Sequence, residues 1–524
     1  MTDTRTTKRT FDQVAEWYPE QDAFVQAFDD RRLTYREANE EARRIANGLA
    51  DLGVGKGDRV AILADPTVEH ALVFLAVQKI GAISSTLHVR ESTNTLCAMV
   101  RDLGASAVVF DATYADLADA FEDDENDVEH FVEFGHDRVD ADGGPASFAT
   151  TLTDLERGSS SEEPEVDVAP DDVAFVNFSS GTTGRPKGIV HTHEEAVEAA
   201  HGGLYTFGAT DADTMLVSST PSFIAWKIHF LPMLAAGATM VFMAEWQPER
   251  VPTLVDEEAI TILFLVPTQW KMVAQAGLEG HDFGSVRLAG YGGEALGRDL
   301  FYTLQEHVTG RFSAQYGTTE TMESGLVLLP HRVDEDTLES VGRPVPNVDV
   351  RIVEPEEKDP SAVVPDGEVG ELIVRGPAVA ERVWNDPEKT AEIFHEDGWW
   401  FSGDLAERRE DGNVYLMGRT DNMIISGGIN VYAEGVEGVV EAHPDVAQCA
   451  VVGVQDETWN EAVKAYVVVA SPDVTVEDLD AWCHDNDDLA DYQRPRYWAF
   501  VDDLPRTNTG KLNRAALREQ EPDE

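Results

Sequence analysis

Residues 173–188 read VAFVNFSSGTTGRPKG, a short apolar run followed by a loop of hydroxyls, glycines and two cations. Glycines let a loop turn its backbone N–H groups inward, and such a loop with hydroxyl donors and a lysine is suited to bind polyphosphate. A flexible serine–glycine turn has a similar composition, so the loop alone leaves both interpretations open. It is not the kinase-type P-loop, because Pro186 stands where that motif needs glycine and Gly188 follows Lys187. The expected phosphate-binding residues are Ser179, Ser180, Gly181, Thr182, Thr183, Gly184 and Lys187.

The length of 524 residues is more than one compact core usually takes, and it predicts at least two domains. The charge is unusual, with 98 acidic residues against 40 basic ones and a formal net charge of −58. This acidic excess would repel nucleic acid and anionic membranes, so neither is an expected partner. Apolar periodic segments run through most of the chain, so the excess indicates a solvated, salt-adapted surface and not disorder. Only ten lysines occur, which makes a lysine inside a loop motif informative.

The cysteines and the apolar segments indicate the compartment. Cys97, Cys449 and Cys483 are widely spaced, which fits a reducing interior without a disulfide framework or a CxxC metal site. Residues 1–10 lack the apolar segment of a signal peptide. The longest uncharged apolar run, residues 230–244, is shorter than the ~20 residues that a membrane span needs. We therefore expect a cytoplasmic protein without a membrane span.

Short apolar runs, each followed by a loop of small residues and a helical pattern, recur from about residue 172 onward. These runs are residues 173–178, 259–267, 286–289 and 312–315. The alternation predicts an α/β fold with a parallel sheet and crossover helices, in which ligands lie beyond the carboxyl ends of the strands. Residues 157–172 are acidic and predicted to form an exposed surface linker. The pattern changes to a smaller α+β type near residue 420, so we predict domains at 1–420 and 421–524.

Six ordered segments give the sequence a family resemblance. The loop with its flanks, FSSGTTGRPKGIVHTH (178–193), resembles the phosphate loop of the adenylate-forming enzymes, which include acyl- and aryl-CoA synthetases, the adenylation domains of peptide synthetases and the luciferases. The other segments are GYGGEAL (290–296), YGTTE (316–320), SGDLA (402–406), GRTDNMIISGG (418–428) and PRTNTGKLNR (505–514). The resemblance extends from LTYREAN (33–39) to the end of the chain, and chance is a poor explanation for it.

The resemblance implies both a fold and a reaction. The fold is a large N-terminal domain of parallel sheets with crossover helices and a small β-barrel-like part, followed by a smaller, mobile α+β domain. In the reaction, a carboxylate attacks the α-phosphate of ATP to give acyl-AMP and pyrophosphate, and a thiol then displaces AMP. The implied cofactors are ATP, magnesium and coenzyme A.

The resemblance also assigns roles to single residues. Lys511 is implied to be the catalytic lysine near the carboxylate and the α-phosphate, and Thr319 to donate a hydrogen bond to that phosphate. Glu320 is implied to hold magnesium, and Lys187 to hold the pyrophosphate side of ATP. The implied ATP-binding residues further include Gly292, Gly293, Glu294, Tyr316, Gly317, Thr318 and, on the ribose, Asp404 and Arg419. The implied hinge is Asp421, and the CoA channel is assigned to Ser426, Gly427 and Gly428.

The acid-binding region differs from the family pattern. Ile224 stands where the family often has histidine, so the gate of the acyl pocket is either Phe223 or Trp226, and the choice stays open. Tyr291 would limit the depth of the pocket and favour short, branched or aromatic acids. Lys227 is interpreted as a surface residue, with a contact to a polar substrate tail as the alternative.

Two further positions are left open by the sequence. Ala433 and Gly435 stand where the family usually has proline and glutamate, which leaves the start of the next helix and the approach of the thiol undecided. His193 lies either near the acyl site or in solvent at the start of a helix.

We predict an AMP-forming acid–CoA ligase for an apolar or aromatic monocarboxylic acid. One alternative is transfer of the adenylate to the thiol of a separate carrier protein. The other is a nucleotide-binding relative without catalysis, and the joint presence of Lys187, Glu320, Asp404 and Lys511 argues against it. The sequence predicts neither the identity of the acid nor the oligomeric state.

Overall fold

The computed structural model describes residues 5–122, 124–136, 145–179, 186–322, 325–355, 357–426, 429–456, 460–472, 474–486, 489–507 and 511–518. The chain forms two compact units, which consist of Met1–Val350 with Val374–Trp400 and of Arg351–Ile373 with Phe401–Glu524. The boundary predicted at residues 420 and 421 lies inside the second unit and concerns a hinge, so it stays a prediction. Within the described ranges, no helix has the length and the apolar character that crossing a membrane requires.

The first unit alternates helices and strands, as the sequence predicts. Its helices are α1 (Thr7–Trp17), α2 (Tyr35–Asp51), α3 (Val68–Lys79), α4 (Thr93–Leu103), α5 (Ala115–Glu122), α6 (Leu152–Gly158), α7 (His193–Phe207), α8 (Ile224–Ala236), α9 (Val251–Glu258), α10 (Pro267–Ala276), α11 (Arg298–His307) and α12 (Pro387–Ile393). Its strands are β1 (Asp22–Gln26), β2 (Arg32–Thr34), β3 (Arg59–Leu63), β4 (Ile83–Thr86), β5 (Ala107–Asp111), β6 (His130–Phe134), β7 (Thr150–Thr151), β8 (Val173–Ser179), β9 (Lys187–Thr192), β10 (Thr214–Val217), β11 (Thr239–Phe242), β12 (Ile262–Phe264), β13 (Leu288–Gly292), β14 (Phe312–Tyr316), β15 (Leu326–Leu328) and β16 (Ser340–Pro344).

Two sheets organise the first unit. One has the strand order β7-β6-β5-β3-β4-β8-β9 and is parallel except for the antiparallel pair of β8 and β9. In the other sheet this unit contributes β16-β15-β14-β13-β12-β10-β11-β1-β2, and the strands from β14 through β13, β12, β10 and β11 to β1 are parallel. Every residue of helix α3 except Glu69 is buried. The predicted α/β class with crossover helices is confirmed.

The strand β13 begins and ends later than the sequence predicts. Residues 286–289 were expected to form the strand and residues 290–296 a loop, but β13 covers Leu288–Gly292. The glycines allow this strand to lie close to its neighbours. A Cβ atom on Gly290 would lie 2.1 Å from Cδ2 of Phe264, and one on Gly292 would lie 2.8 Å from the carbonyl oxygen of Gln315. Close approach, rather than a turn, therefore explains both glycines.

The second unit contains a smaller α+β pattern, as expected. Its elements are β17 (Asp349–Val353), β18 (Gly370–Arg375), β19 (Trp400–Arg408), β20 (Val414–Arg419), β21 (Met423–Ser426), β22 (Ile429–Tyr432), α13 (Ala433–Glu441), β23 (Val446–Asp456), β24 (Asn460–Val469), α14 (Val476–His484), β25 (Tyr497–Phe500) and α15 (Arg514–Arg518). The strand order is β17-β18-β19-β20 in one part and β22-β21-β24-β23 in the other, with β25 beside β24. The β-barrel-like part implied by the resemblance stays a prediction.

Buried charges hold residues 157–172 against the helices of the first unit. The Lys79 ammonium lies 2.6 Å from Oδ1 of Asp12 and 3.1 Å from Oε2 of Glu163. Burial lowers the pKa of Lys79, and the two carboxylates oppose that shift. The side chain of Asn47 donates to the carbonyl oxygens of Ser160 and Glu162. The segment has little regular structure beyond the end of α6 and lies largely at the surface, as predicted, and these contacts attach it to the first unit.

We expect Asp12→Asn to lower the free energy of unfolding by roughly 2 kcal/mol, because it leaves the buried Lys79 ammonium with Glu163 alone. Urea unfolding at fixed salt measures this change. The control is Glu20→Gln, which removes an exposed pair with Arg36 and should cost less than about 1 kcal/mol. Equal effects of the two variants would contradict the structural role of the buried pair.

Candidate active site

The predicted phosphate loop is the connection of a β-hairpin. Ser179, the last residue of β8, pairs with Lys187, the first residue of β9. Ser180, Gly181, Thr182, Thr183 and Gly184 lie outside the described residues. Lys187 is half-buried, and this burial lowers its pKa, as does the Lys389 ammonium beside it, whereas the Glu320 carboxylate raises it. The hairpin stem thus brings Lys187 and Glu320, two predicted site residues, close together.

Two other predicted segments meet at the carboxyl ends of parallel strands. Gly292 of β13 pairs with Gln315 of β14, so the residues that follow each strand are neighbours. Gly293, at φ +83°, and the exposed Glu294 follow β13, and Gly317 follows β14. This is the sheet edge at which α/β proteins bind ligands.

The residues Thr318, Thr319 and Glu320 are fixed by backbone contacts. The N–H of Thr318 donates to Oγ1 of Thr321 at 3.0 Å, and the N–H of Ala380 donates to the carbonyl oxygen of Glu320 at 2.7 Å. Gly317 permits the tight turn, because a Cβ atom there would lie 2.5 Å from the carbonyl oxygen of Met322. The hydroxyl of Thr321 and the backbone of Ala380 thus hold the backbone of this turn in place.

His191 is a site residue that the sequence analysis missed. Its ring is fully buried on β9, packs on Phe175 at 5.0 Å, and its Nε2 lies 2.8 Å from the carbonyl oxygen of Thr319. Since a carbonyl oxygen only accepts, Nε2 carries the proton and donates. His191 therefore ties the hairpin stem to the turn that carries Glu320. Nothing in the sequence indicates this contact, because the two residues are 128 positions apart.

The predicted ribose site lies in the second unit. Asp404 on β19 pairs with Arg419 on β20, and Nη1 of Arg419 lies 2.5 Å from Oδ1 of Asp404. Glu371 supports this segment, because its buried carboxylate accepts the N–H of Gly403 at 3.0 Å and pairs with Lys358 at 2.9 Å. The structure thus brings Asp404 and Arg419 together. Glu371 was missed by sequence analysis, since it lies outside every recognised segment.

The catalytic lysine of the prediction, Lys511, is exposed in the second unit. The N–H of Thr507 donates to its carbonyl oxygen at 2.7 Å, and α15 begins three residues later. Arg514 on α15 lies 2.7 Å from Oε2 of Glu437 on α13. The backbone around Lys511 is thereby attached to the rest of the unit.

The hinge and CoA-channel residues lie near the start of α13. Asp421 follows β20, and its carbonyl oxygen accepts from Arg518 at 2.9 Å. Ser426 ends β21 and is buried, whereas Gly427 and Gly428 lie outside the described residues. The start of the next helix, left undecided by the sequence, is at Ala433, where α13 begins. Asn422, the residue after the predicted hinge Asp421, donates a hydrogen bond to the carboxylate of Glu434 at 2.8 Å.

The three predicted acyl-pocket residues have different surroundings. Phe223 precedes α8, is 38% exposed and packs against the ring of His88. Trp226 is fully buried and stacks on Phe230 at 4.3 Å. Tyr291 is buried in another hydrophobic cluster, with its hydroxyl 3.4 Å from the carbonyl oxygen of Leu338. The structure does not gather the three side chains into one cluster, and their role stays a prediction.

Two interpretations of polar residues in this region are wrong. Lys227 is 2% exposed rather than on the surface, because α8 faces the core on that side. Its ammonium donates to Oδ1 of Asn177 at 2.9 Å and to the carbonyl oxygen of Pro221 at 3.0 Å. Burial lowers the pKa of Lys227 to about 7. His193 is fully buried as well, so it is not a solvated residue at the helix start, and burial lowers its pKa to about 4.

Family models cover most of the chain. The model described as AMP-binding enzyme matches residues 11–384, and the model described as AMP-binding enzyme C-terminal domain matches residues 435–511. The long-chain-fatty-acid–CoA ligase FadD13 of Mycobacterium tuberculosis is 31% identical over 521 residues, 97% of each chain. A feruloyl-CoA synthase of Amycolatopsis sp. is 32% identical over 490 residues, 93% of each chain.

Solved structures agree with these matches. The fatty acyl CoA synthetase of Mycobacterium tuberculosis is 28% identical, with a TM-score of 0.79 over 99% of each chain. The o-succinylbenzoate CoA synthetase of Bacillus subtilis, in complex with its acyl-adenylate intermediate, is 26% identical. Its TM-score is 0.84, over 98% of this chain and 99% of that one. The predicted fold class is confirmed by both.

We expect Lys227→Met to change how stability depends on pH. Burial holds the pKa of folded Lys227 at about 7, below the value of 10.5 for lysine in water. Between these values the unfolded chain carries a proton that the folded chain lacks. The contribution of the buried, neutral Lys227 side chain to stability is therefore fully present above pH 10.5, and it is lost as the pH falls to 7. The free energy of unfolding of the wild type, minus that of the variant, should therefore rise by a few kcal/mol from pH 7 to 10.

Urea unfolding at several pH values measures this difference. The control is Lys271→Met on α10, whose side chain is exposed, and it should give a flat difference over the same range. Parallel curves for wild type and Lys227→Met would show that the buried ammonium does not lose its proton on folding.

Proposed function

The chain belongs to the AMP-binding enzyme family as an AMP-forming CoA ligase, and we propose that it activates an apolar or aromatic monocarboxylic acid. The observation that carries the proposal is the placement of Lys187 and Glu320 together at the stem of the phosphate-loop hairpin. Relatives named for fatty acids, ferulate and 3-hydroxybenzoate support the breadth of this acid class.

The first half-reaction joins two anions, so its transition state needs positive and hydrogen-bonding groups. Lys187 and the loop N–H groups hold the pyrophosphate side of ATP. Thr319 donates to the α-phosphate, and Lys511 approaches the carboxylate and the same phosphate. Asp404 and Arg419 hold the ribose, and the segments around Gly292 and Tyr316 hold the adenine side.

The carboxylate of Glu320 is suited to magnesium. Magnesium is usually bound by one or two carboxylates together with substrate phosphates, and not by a complete cage of protein ligands. Glu320 is partly exposed, and its carboxylate lies near Lys187 at the end of the phosphate loop, so it fits this arrangement. When bound, the ion neutralises charge on the phosphate oxygens.

The second half-reaction forms the CoA thioester. We propose that the unit carrying Lys511 rotates about Asp421 after adenylation, so that Ser426, Gly427 and Gly428 line the path of the thiol. Exposed turn residues that absorb a change in backbone angles are typical of hinges. Transfer to a carrier-protein thiol is the second candidate, and the product of the test below distinguishes the two.

The setting of the reaction is part of the proposal. The three cysteines are unpaired, which suits a reducing cytoplasm, where ATP and coenzyme A are available. The net charge of −58 supports a surface adapted to high salt, because dissolved ions screen the repulsion between carboxylates. The assays below therefore use high salt.

The direct test of function is pyrophosphate release from ATP and magnesium with a panel of acids, with and without coenzyme A. We expect release with short, branched or aromatic acids and thioester formation when coenzyme A is present. Release without a CoA thioester would favour a carrier protein as the acceptor. No release with any acid would contradict the proposed chemistry.

We expect Lys511→Ala to slow adenylate formation by ~10²–10³-fold, because it removes a positive group from the transition state. Thioester formation from a supplied acyl-adenylate should be spared. Single-turnover measurements of the two half-reactions test this, with the exposed Lys271→Ala as control. Equal losses in both half-reactions would show that Lys511 does not act in adenylation.

A further inference from the structure

A second lysine lies beside Lys187 at the stem of the phosphate-loop hairpin. The Lys389 side chain, on α12, is 16% exposed, and its positive charge lowers the pKa of the neighbouring Lys187. Lysine is scarce in this chain, with ten in 524 residues. Two of the ten therefore meet at one end of the expected ATP site.

Backbone pairing places Lys389 there. The N–H of Trp384 donates to the carbonyl oxygen of Gly188 at 2.7 Å, and the N–H of Val190 donates to the carbonyl oxygen of Arg382 at 3.2 Å. Residues 382–384 therefore lie alongside the part of β9 that follows Lys187. Asp386 then caps α12 by accepting the N–H of Lys389 at 2.8 Å. The position of Lys389 follows from this fixed backbone and not from a free surface loop.

Adjacent ammonium groups repel each other unless anions lie near them. Glu320 and Glu392 are two carboxylates whose charges raise the pKa of Lys187. Glu320 is the proposed magnesium ligand, so its charge is shared with the metal when ATP is bound. Glu392, which pairs with Lys389, has a side chain that is 61% exposed, and such a surface pair contributes little. An incoming phosphate can therefore displace Glu392 at small cost.

We propose that Lys389 is a second binding residue for the β- and γ-phosphates of ATP and for the pyrophosphate product, acting together with Lys187. The inference rests on the proposed function and deepens it. Charge-assisted hydrogen bonds from two lysines would hold the leaving group from the side opposite the α-phosphate. When no phosphate is bound, the carboxylate of Glu392 pairs with the Lys389 ammonium, and the phosphate displaces it on binding.

The test uses the full chain and two probes, inorganic pyrophosphate with magnesium and AMP. AMP lacks the phosphates that Lys389 would bind, so it controls for folding and for the rest of the site. Calorimetry should show that Lys389→Met weakens pyrophosphate binding by about 10-fold and leaves AMP binding unchanged. The matched control, Lys271→Met, removes the same charge from an exposed site and should change neither affinity.

A third variant tests the role of the partner carboxylate. Glu392→Gln frees Lys389, and it should bind pyrophosphate more tightly than the wild type, by about two-fold. If Lys389→Met binds pyrophosphate as Lys271→Met does, Lys389 only pairs with Glu392 and the inference is overturned. Wild-type protein that binds AMP but not pyrophosphate also overturns it and leaves the proposed function standing. Failure to bind either probe overturns the proposed function as well.

Discussion

The antiparallel pairing of β8 with β9 is the constraint on which the candidate site depends. Its register sets Ser179 opposite Lys187 and so fixes both ends of the loop between them. The same strand β9 carries His191, which holds the carbonyl of Thr319, and it pairs with the backbone that leads to Lys389. One hairpin thereby orders several groups that are far apart in sequence.

Some lysines of this protein are buried in the folded core whether or not a carboxylate lies beside them. Lys79 and Lys227 are both buried, but Lys79 has two carboxylate partners, whereas Lys227 donates to an amide oxygen and a backbone carbonyl. Burial lowers the pKa of each, and at Lys79 the two carboxylates oppose this effect, whereas at Lys227 burial is the cause. An acid-rich chain thus does not by itself provide each lysine with a nearby acid; the fold decides which lysines are paired.

Local signals predicted the architecture well. The strand β8, the capping box of α7 at Thr192 and the alternation that gives the parallel sheets could be found from neighbouring residues. The exceptions arose where distant contacts decide. Glycines that signalled a loop at residues 290–292 lie in a strand because Phe264 and the backbone of Gln315 approach them. The burial of Lys227, like the roles of His191 and Glu371, depends on partners that no local pattern reveals.

Residues 157–172 show what buried ion pairs mean for a protein with this surface. Dissolved salt screens exposed pairs strongly and buried pairs much less. The contacts of Lys79 with Asp12 and Glu163 therefore persist in brine, where contacts such as that of Arg36 with Glu20 fade. Residues 157–172 are held by these buried pairs whether or not exposed ones persist. The surface of the protein can therefore gain carboxylates during evolution without loosening this segment.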